Sequence, residues 1–223
     1  MNLYRQILIF LWITEEPTPK QVTLISTIVY MPPKKKRSNT KDTLESQFKP
    51  NKTPKQVFQM GAFGGTYFRP IYSSITNKKY TSEEALSDLP KDWFQNLSLD
   101  THVISSKYDK KINKYKVKCG SSLEAWESSG WIDKQDPYGW FQWYCRYSLG
   151  RRTPDDARQI NRWLKLAGPT GRFRRTLMNK IIKKNTTYDD FTVSPVIRQV
   201  LLHWGYQLTK KDFDAYKRSK KSS

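Results

Sequence analysis

Between Asp136 and Gly150 the chain reads PYGWFQWYCRYSL, and this string constrains the fold more than any other. Plotted at about 100° per residue, Trp140, Phe141, Trp143, Tyr144, Tyr147 and Leu149 surround most of a helical circumference. Gly139, Gln142 and Arg146 form the one contiguous polar stripe. A helix that is apolar on almost every side must be covered on almost every side, so it belongs in the middle of a bundle. Asp136 is expected to cap it and Pro137 to take its first position. These rings are read as core, although rings in other settings stack on bases.

Helical signals continue on both sides. Leu123–Ser129 reads as a short helix stopped by Gly130. Thr153-Pro154-Asp155-Asp156 opens a helix over 154–167, with a cap, a proline in the first turn and two acids complementing the dipole. Ala157, Ile160, Trp163, Leu164 and Ala167 share one face of it, and Arg158, Asn161, Arg162 and Lys165 the other. After the turn 168–171, a helix over 172–184 sets Phe173, Leu177, Met178, Ile181 and Ile182 inward. Its outer face carries Arg172, Arg175, Thr176, Asn179, Lys180 and Lys183. Ser194-Pro195 begins another helix through Trp204, whose Val196, Val200, Leu201 and Trp204 should be buried. Thr209 caps a last short one bearing Phe213 and Tyr216.

The region before this is less regular. Residues 61–72 mix glycines with β-prone aromatics and read as a turn with a short strand, or as a loop packed by its rings. Gly64-Gly65-Thr66 lacks the Lys-Ser/Thr of a phosphate loop, so tight turn geometry is the expectation. A short hairpin is expected within 103–118. The predicted fold class is mainly α, a helical bundle with an aromatic core and a small irregular or β N-terminal part, with α+β as the alternative.

The formal net charge is +20, and it is unevenly placed. Residues 145–184 hold twelve Lys and Arg against two acids, and 31–56 hold eight against two, whereas 57–144 nearly balance at eleven against ten. Clustered charge of one sign draws in polyanions; evenly mixed charge merely keeps a protein soluble. Cys119 and Cys145, His102 and His203 lie in no clustered spacing, so neither a disulfide framework nor a metal site is indicated, and no cofactor is expected.

Residues 3–13 are apolar but too short to span a bilayer, and Glu15, Glu16, Pro17 and Pro19 end the run. Residues 1–30 are read as an apolar leader or an upstream extension of the gene, with a second start at Met31, and no membrane partner is expected. Lys34, Lys35, Lys36 and Arg37 follow Pro33 as a compact nuclear-import-like cluster. Residues 31–56 are expected to be a disordered basic tail, 57–208 the compact domain with its helix-turn-helix-like hairpin at 154–184, and 209–223 a short helix with a basic tail.

Two strings, GAFGGTYFRPIYSSITNKKY (61–80) and GWIDKQDPYGWFQWYCRYSLGRRTPDDARQINRW (130–163), resemble a family of uncharacterised proteins from fungi and large DNA viruses of eukaryotes. The resemblance covers roughly 57–205 and implies a eukaryotic or viral setting. It implies no activity and no site residues.

The leading functional expectation is nucleic-acid binding, DNA in preference to RNA, in the nucleus or in a virion or viral factory. The 172–184 helix would enter a groove, with Arg172, Arg175, Thr176, Asn179, Lys180 and Lys183 facing it. Arg146, Arg151, Arg152, Arg158, Arg162 and Lys165 would hold phosphates alongside. An alternative is a metal-dependent nucleic-acid-processing enzyme using Asp133, Asp136, Asp155 and Asp156 beside Arg151 and Arg152; no catalytic residue is assigned. A second alternative is non-specific packaging of polyanions in a virion or chromatin.

Overall fold

The ring-covered helix occupies the centre of the described domain. A computed structural model describes residues 43–221, and every statement below concerns these. The elements run α1 (Leu44–Gln47), α2 (Pro54–Gln59), β1 (Ile71–Ser73), β2 (Lys78–Tyr80), α3 (Ser82–Leu86) and α4 (Leu99–His102). They continue with α5 (Leu123–Ser128), α6 (Trp140–Ser148), α7 (Asp156–Leu166), α8 (Arg172–Lys183), α9 (Pro195–His203) and α10 (Lys210–Lys221). Short 3-10 turns lie at Lys91–Phe94 and Lys110–Ile112. The fold is mainly α, with one two-stranded antiparallel sheet in which Ile71 pairs with Tyr80 and Ser73 with Lys78.

Trp140 to Cys145 of α6 are all buried. Around them α2 packs on α6, α6 on α7, α7 on α8, and α8 on both α9 and α10. Trp143 and Trp163, both essentially inaccessible, are the largest side chains of the core. Each indole N–H has an acceptor: Trp143 donates to Asp156 Oδ1 at 2.8 Å, and Trp163 to the Trp204 carbonyl at 2.8 Å. Large rings fill this core without leaving these polar edges unsatisfied.

Helix α6 starts three residues later than its sequence suggests. Asp136, Pro137 and Tyr138 form a turn, and Gly139 enters the helix at φ 85°, which L side chains rarely adopt. Glycine has no side chain with which to cap the exposed amides. Tyr67 does this instead: its hydroxyl accepts from Gln142 N at 3.1 Å and donates to the Tyr138 carbonyl at 2.6 Å. Gln142, expected on the polar stripe, is buried, and its side-chain carbonyl accepts from Tyr138 N.

The folded region begins before Val57. Phe48 directs its ring onto Trp143, Tyr144, Tyr147 and Trp163 with centroids 5.2–5.7 Å apart. Thr53 and Gln56 form a capping box for α2. Residues 43–56 are therefore part of the domain, because Phe48 and the capped turn are anchored on α6 and α7. The hairpin lies at 71–80 rather than within 103–118. The latter segment is irregular, and its Asn113 amide bonds to Tyr108 Oη and the Val117 carbonyl in place of ladder partners. Gly65 is a tight-turn residue at φ +86°, where a Cβ would lie 2.0 Å from the Thr101 carbonyl oxygen.

Inward-facing positions on α8 and α9 differ in part from the helical-wheel reading. Ile182 is 38 % exposed, and Arg174 is buried in its place. Arg174 pairs with Asp212 of α10 at 2.7 Å and stacks on Tyr206, so a charge sits on the inner face because α10 brings its counter-ion. Val196 of α9 is exposed, whereas Leu201 is buried as expected. The Lys34–Arg37 cluster and the leader 1–30 lie outside the described residues.

Candidate nucleic-acid interface

The twelve side chains expected to bind nucleic acid separate into those held by the fold and those left free. Asp136 is the hub of the first group. Its carboxylate is fully buried, accepts from Arg146 Nη1 at 3.0 Å and pairs with Arg151 Nη2. Arg146 also reaches Asp88 at 2.6 Å and the Gln135 carbonyl at 2.7 Å. Burial lifts the Asp136 carboxyl above the ordinary range, and the two guanidiniums oppose that rise. Burial pulls the Arg146 pKa down, but the carboxylates of Asp88 and Asp136 together outweigh it and leave the pKa raised. The carboxylate at the centre thus bears more of the desolvation than the arginines around it.

Arg158 is held in the same way, forking onto Asp155 at 2.5 and 2.9 Å. The expectation that Arg146, Arg151 and Arg158 grip phosphates is corrected on this ground: each already has a carboxylate. The aspartates of the enzyme alternative are equally engaged. Asp155 also accepts from Gln159, and Asp156 accepts from Trp143 Nε1, Thr153 N and Thr153 Oγ1. Asp133 closes its own turn onto Gln135 N. Among the described residues no group of three or more His, Cys, Asp or Glu converges as metal ligands would.

The base-reading positions of α8 are partly occupied. Thr176 donates to the Arg172 carbonyl one turn back, and Asn179 Oδ1 accepts from Tyr216 Oη at 2.7 Å. Helix α10 therefore flanks the face expected to lie in a groove. Arg172, Arg175, Lys180 and Lys183 remain exposed on α8, and Lys165 on α7. None of them has an acidic partner among the described residues. Arg152 likewise lacks a carboxylate; it stacks on Tyr147 at 3.8 Å and bonds backbone carbonyls.

Arg162 is the most unusual of the set. Its guanidinium lies between two indoles, 5.6 Å from the Trp131 centroid and 5.5 Å from that of Trp204. It donates to the Trp131 carbonyl and to Gln159 Oε1, both neutral acceptors. Burial, reinforced by nearby Arg158, lowers its pKa to about 10, so it stays charged at neutral pH without an ion-pair partner.

Arg162, Lys165 and Arg172 converge on one cleft of about 700 Å³. Its walls include Trp131, Trp140, Phe173 and Trp204, with His203 alongside. His203 Nε2 lies 2.6 Å from the Ala62 carbonyl and donates to it, leaving Nδ1 as an acceptor. Burial pulls His203 down to about 4 and pushes the neighbouring Cys119 thiol up to about 12, so both are neutral at pH 7. A neutral thiol 3.7–3.9 Å from a neutral imidazole is a packed pair and not an activated nucleophile.

Helical periodicity places Trp140, Phe173 and Trp204 on inward faces, and the cleft is invisible to it. Trp131 carries the one local signal: it follows Gly130, outside any helical period, and it is 44 % exposed. A large exposed ring asks for an explanation that a buried one does not.

Fold and site together define a small, mainly α protein with an aromatic cleft bordered by cations that have no acidic partner among the described residues. No family model, no curated protein and no solved structure matches the chain. No helix among the described residues is long and apolar enough to cross a membrane.

Proposed function

We propose that the protein binds nucleic acid, gripping phosphates through α7 and α8. The observation that carries this reading is a sorting of charge. Arg162, Lys165, Arg172, Arg175, Lys180 and Lys183 lack acidic partners among the described residues, while Arg151, Arg158 and Arg174 each have one and Arg146 has two. Cations left without internal counter-ions on two consecutive helices are a surface for a polyanion.

Sequence-independent binding is favoured over base-edge readout, because Asn179 and Thr176 are already bonded within the fold. DNA in a nuclear or viral compartment, the setting implied by the Lys34–Arg37 cluster and by the family resemblance, belongs to the same proposal. Titrating the full chain against a labelled DNA duplex at several salt concentrations tests it. With about six phosphates neutralised, affinity should fall on the order of 10³-fold between 50 and 200 mM salt. Binding that is absent at low salt, or indifferent to salt, would refute it.

A further inference from the structure

Five separated segments supply the cleft with Phe63, Trp131, Trp140, Phe173 and Trp204, and its border is cationic. Two features of it are open to a partner. The Arg162 guanidinium, flanked by two indoles, has no counter-ion among the described residues. Trp131, which lines the cleft, is 44 % exposed. A cation held beside two indoles without a counter-ion, next to an exposed tryptophan, points to a partner that brings both a flat face and a negative charge.

The occupant must then be flat, to lie on tryptophan faces. It must also be joined to an anion that meets Arg162, Lys165 or Arg172. An acyl chain offers no flat face to the exposed Trp131 ring. A quaternary ammonium, which aromatic pockets often take, is repelled by Arg162. A nucleobase joined to its phosphate meets every condition, and the volume falls within the roughly 300–1,000 Å³ of small-ligand sites. We propose that the cleft takes one unpaired base of a bound nucleic-acid strand, stacked on Trp131, with its phosphate on the Arg162–Lys165–Arg172 border. This rests on the nucleic-acid reading above and adds to it a preference for strands with an unpaired nucleotide.

Trp131 is the position to test. It is 44 % exposed, and Arg158 and Arg162 donate to its backbone carbonyl, which Trp131→Ala retains. The full chain is titrated with a labelled single strand, the matching blunt duplex, and a single strand containing the fluorescent base 2-aminopurine. Loss of one base stack should weaken single-strand binding about 5- to 150-fold. Duplex affinity and salt dependence should stay as in the wild type, and Trp131→Phe should restore most of the loss. The analogue's fluorescence should be quenched by the wild type and not by Trp131→Ala. Unchanged single-strand affinity in Trp131→Ala, with salt-dependent binding intact, overturns the base site and leaves the phosphate-binding reading standing. Binding of a free mononucleotide with no preference for an unpaired base in a strand also overturns it. Absence of salt-dependent binding to every strand removes both.

Discussion

Asp136→Ala separates the arginines that hold the fold from those proposed to bind nucleic acid. The carboxylate is fully buried and serves two guanidiniums. Without it Arg146 keeps Asp88, but Arg151 loses its carboxylate, and its Nε is already buried without a partner among the described residues. Breaking a buried pair from one side costs about 3–5 kcal/mol. Because Arg146 retains an ion pair, the lower end, about 3 kcal/mol, is expected. For a domain of this size that lowers Tm by roughly 6–12 °C. Urea unfolding followed by tryptophan fluorescence should show a lower midpoint with an unchanged slope. The double variant Asp136→Leu/Arg151→Met should recover most of the loss, since apolar replacement of a buried pair is often neutral. Arg151→Met, assayed where it is folded, should bind nucleic acid as the wild type does. A destabilisation below about 1 kcal/mol for Asp136→Ala, or weakened nucleic-acid binding by folded Arg151→Met, would refute this assignment.

Two further outcomes follow from the geometry. Phe48→Ala, which empties a ring site against Trp143 and Trp163, should cost about 3–5 kcal/mol in denaturant unfolding; a neutral result would return residues 43–56 to a tail. His203 has a folded pKa of about 4 against an ordinary 6.5, so the unfolded chain binds its proton first as pH falls. Stability from this group is full above about 6.5 and is lost on descending towards 4, by up to about 3 kcal/mol. The profile of unfolding free energy against pH should show this descent, and His203→Gln should flatten it over that window.

Much of the fold is legible in the chain because its signals are local. The ring-covered string 137–149 requires a central helix, and α8 and α9 begin or end within a residue of the positions that Gly171, Pro195 and Gly205 dictate. What is not legible depends on partners distant in sequence. Asp136 looks like a cap from its neighbour Pro137, but its role is fixed by Arg146 and Arg151 on the far side of a helix. Arg174 occupies an apolar wheel position that is tolerable only because Asp212 arrives from α10. Periodicity assigns a face to a side chain; it does not reveal whether an arginine on that face meets an aspartate. The cleft is hidden for the same reason, since Phe63, Trp131, Trp140, Phe173 and Trp204 become neighbours only after folding.

The most direct test of the central claim neutralises the free cations together. Lys165, Arg175, Lys180 and Lys183 are replaced by Gln in the full chain, and the slope of log affinity against log salt is measured on a DNA duplex. All four are exposed and have no acidic partner among the described residues, so the fold should be unaffected. The slope should become shallower by about one for each phosphate no longer neutralised, roughly four in total. A slope equal to that of the unaltered protein would contradict the assignment of these helices as the phosphate-binding surface.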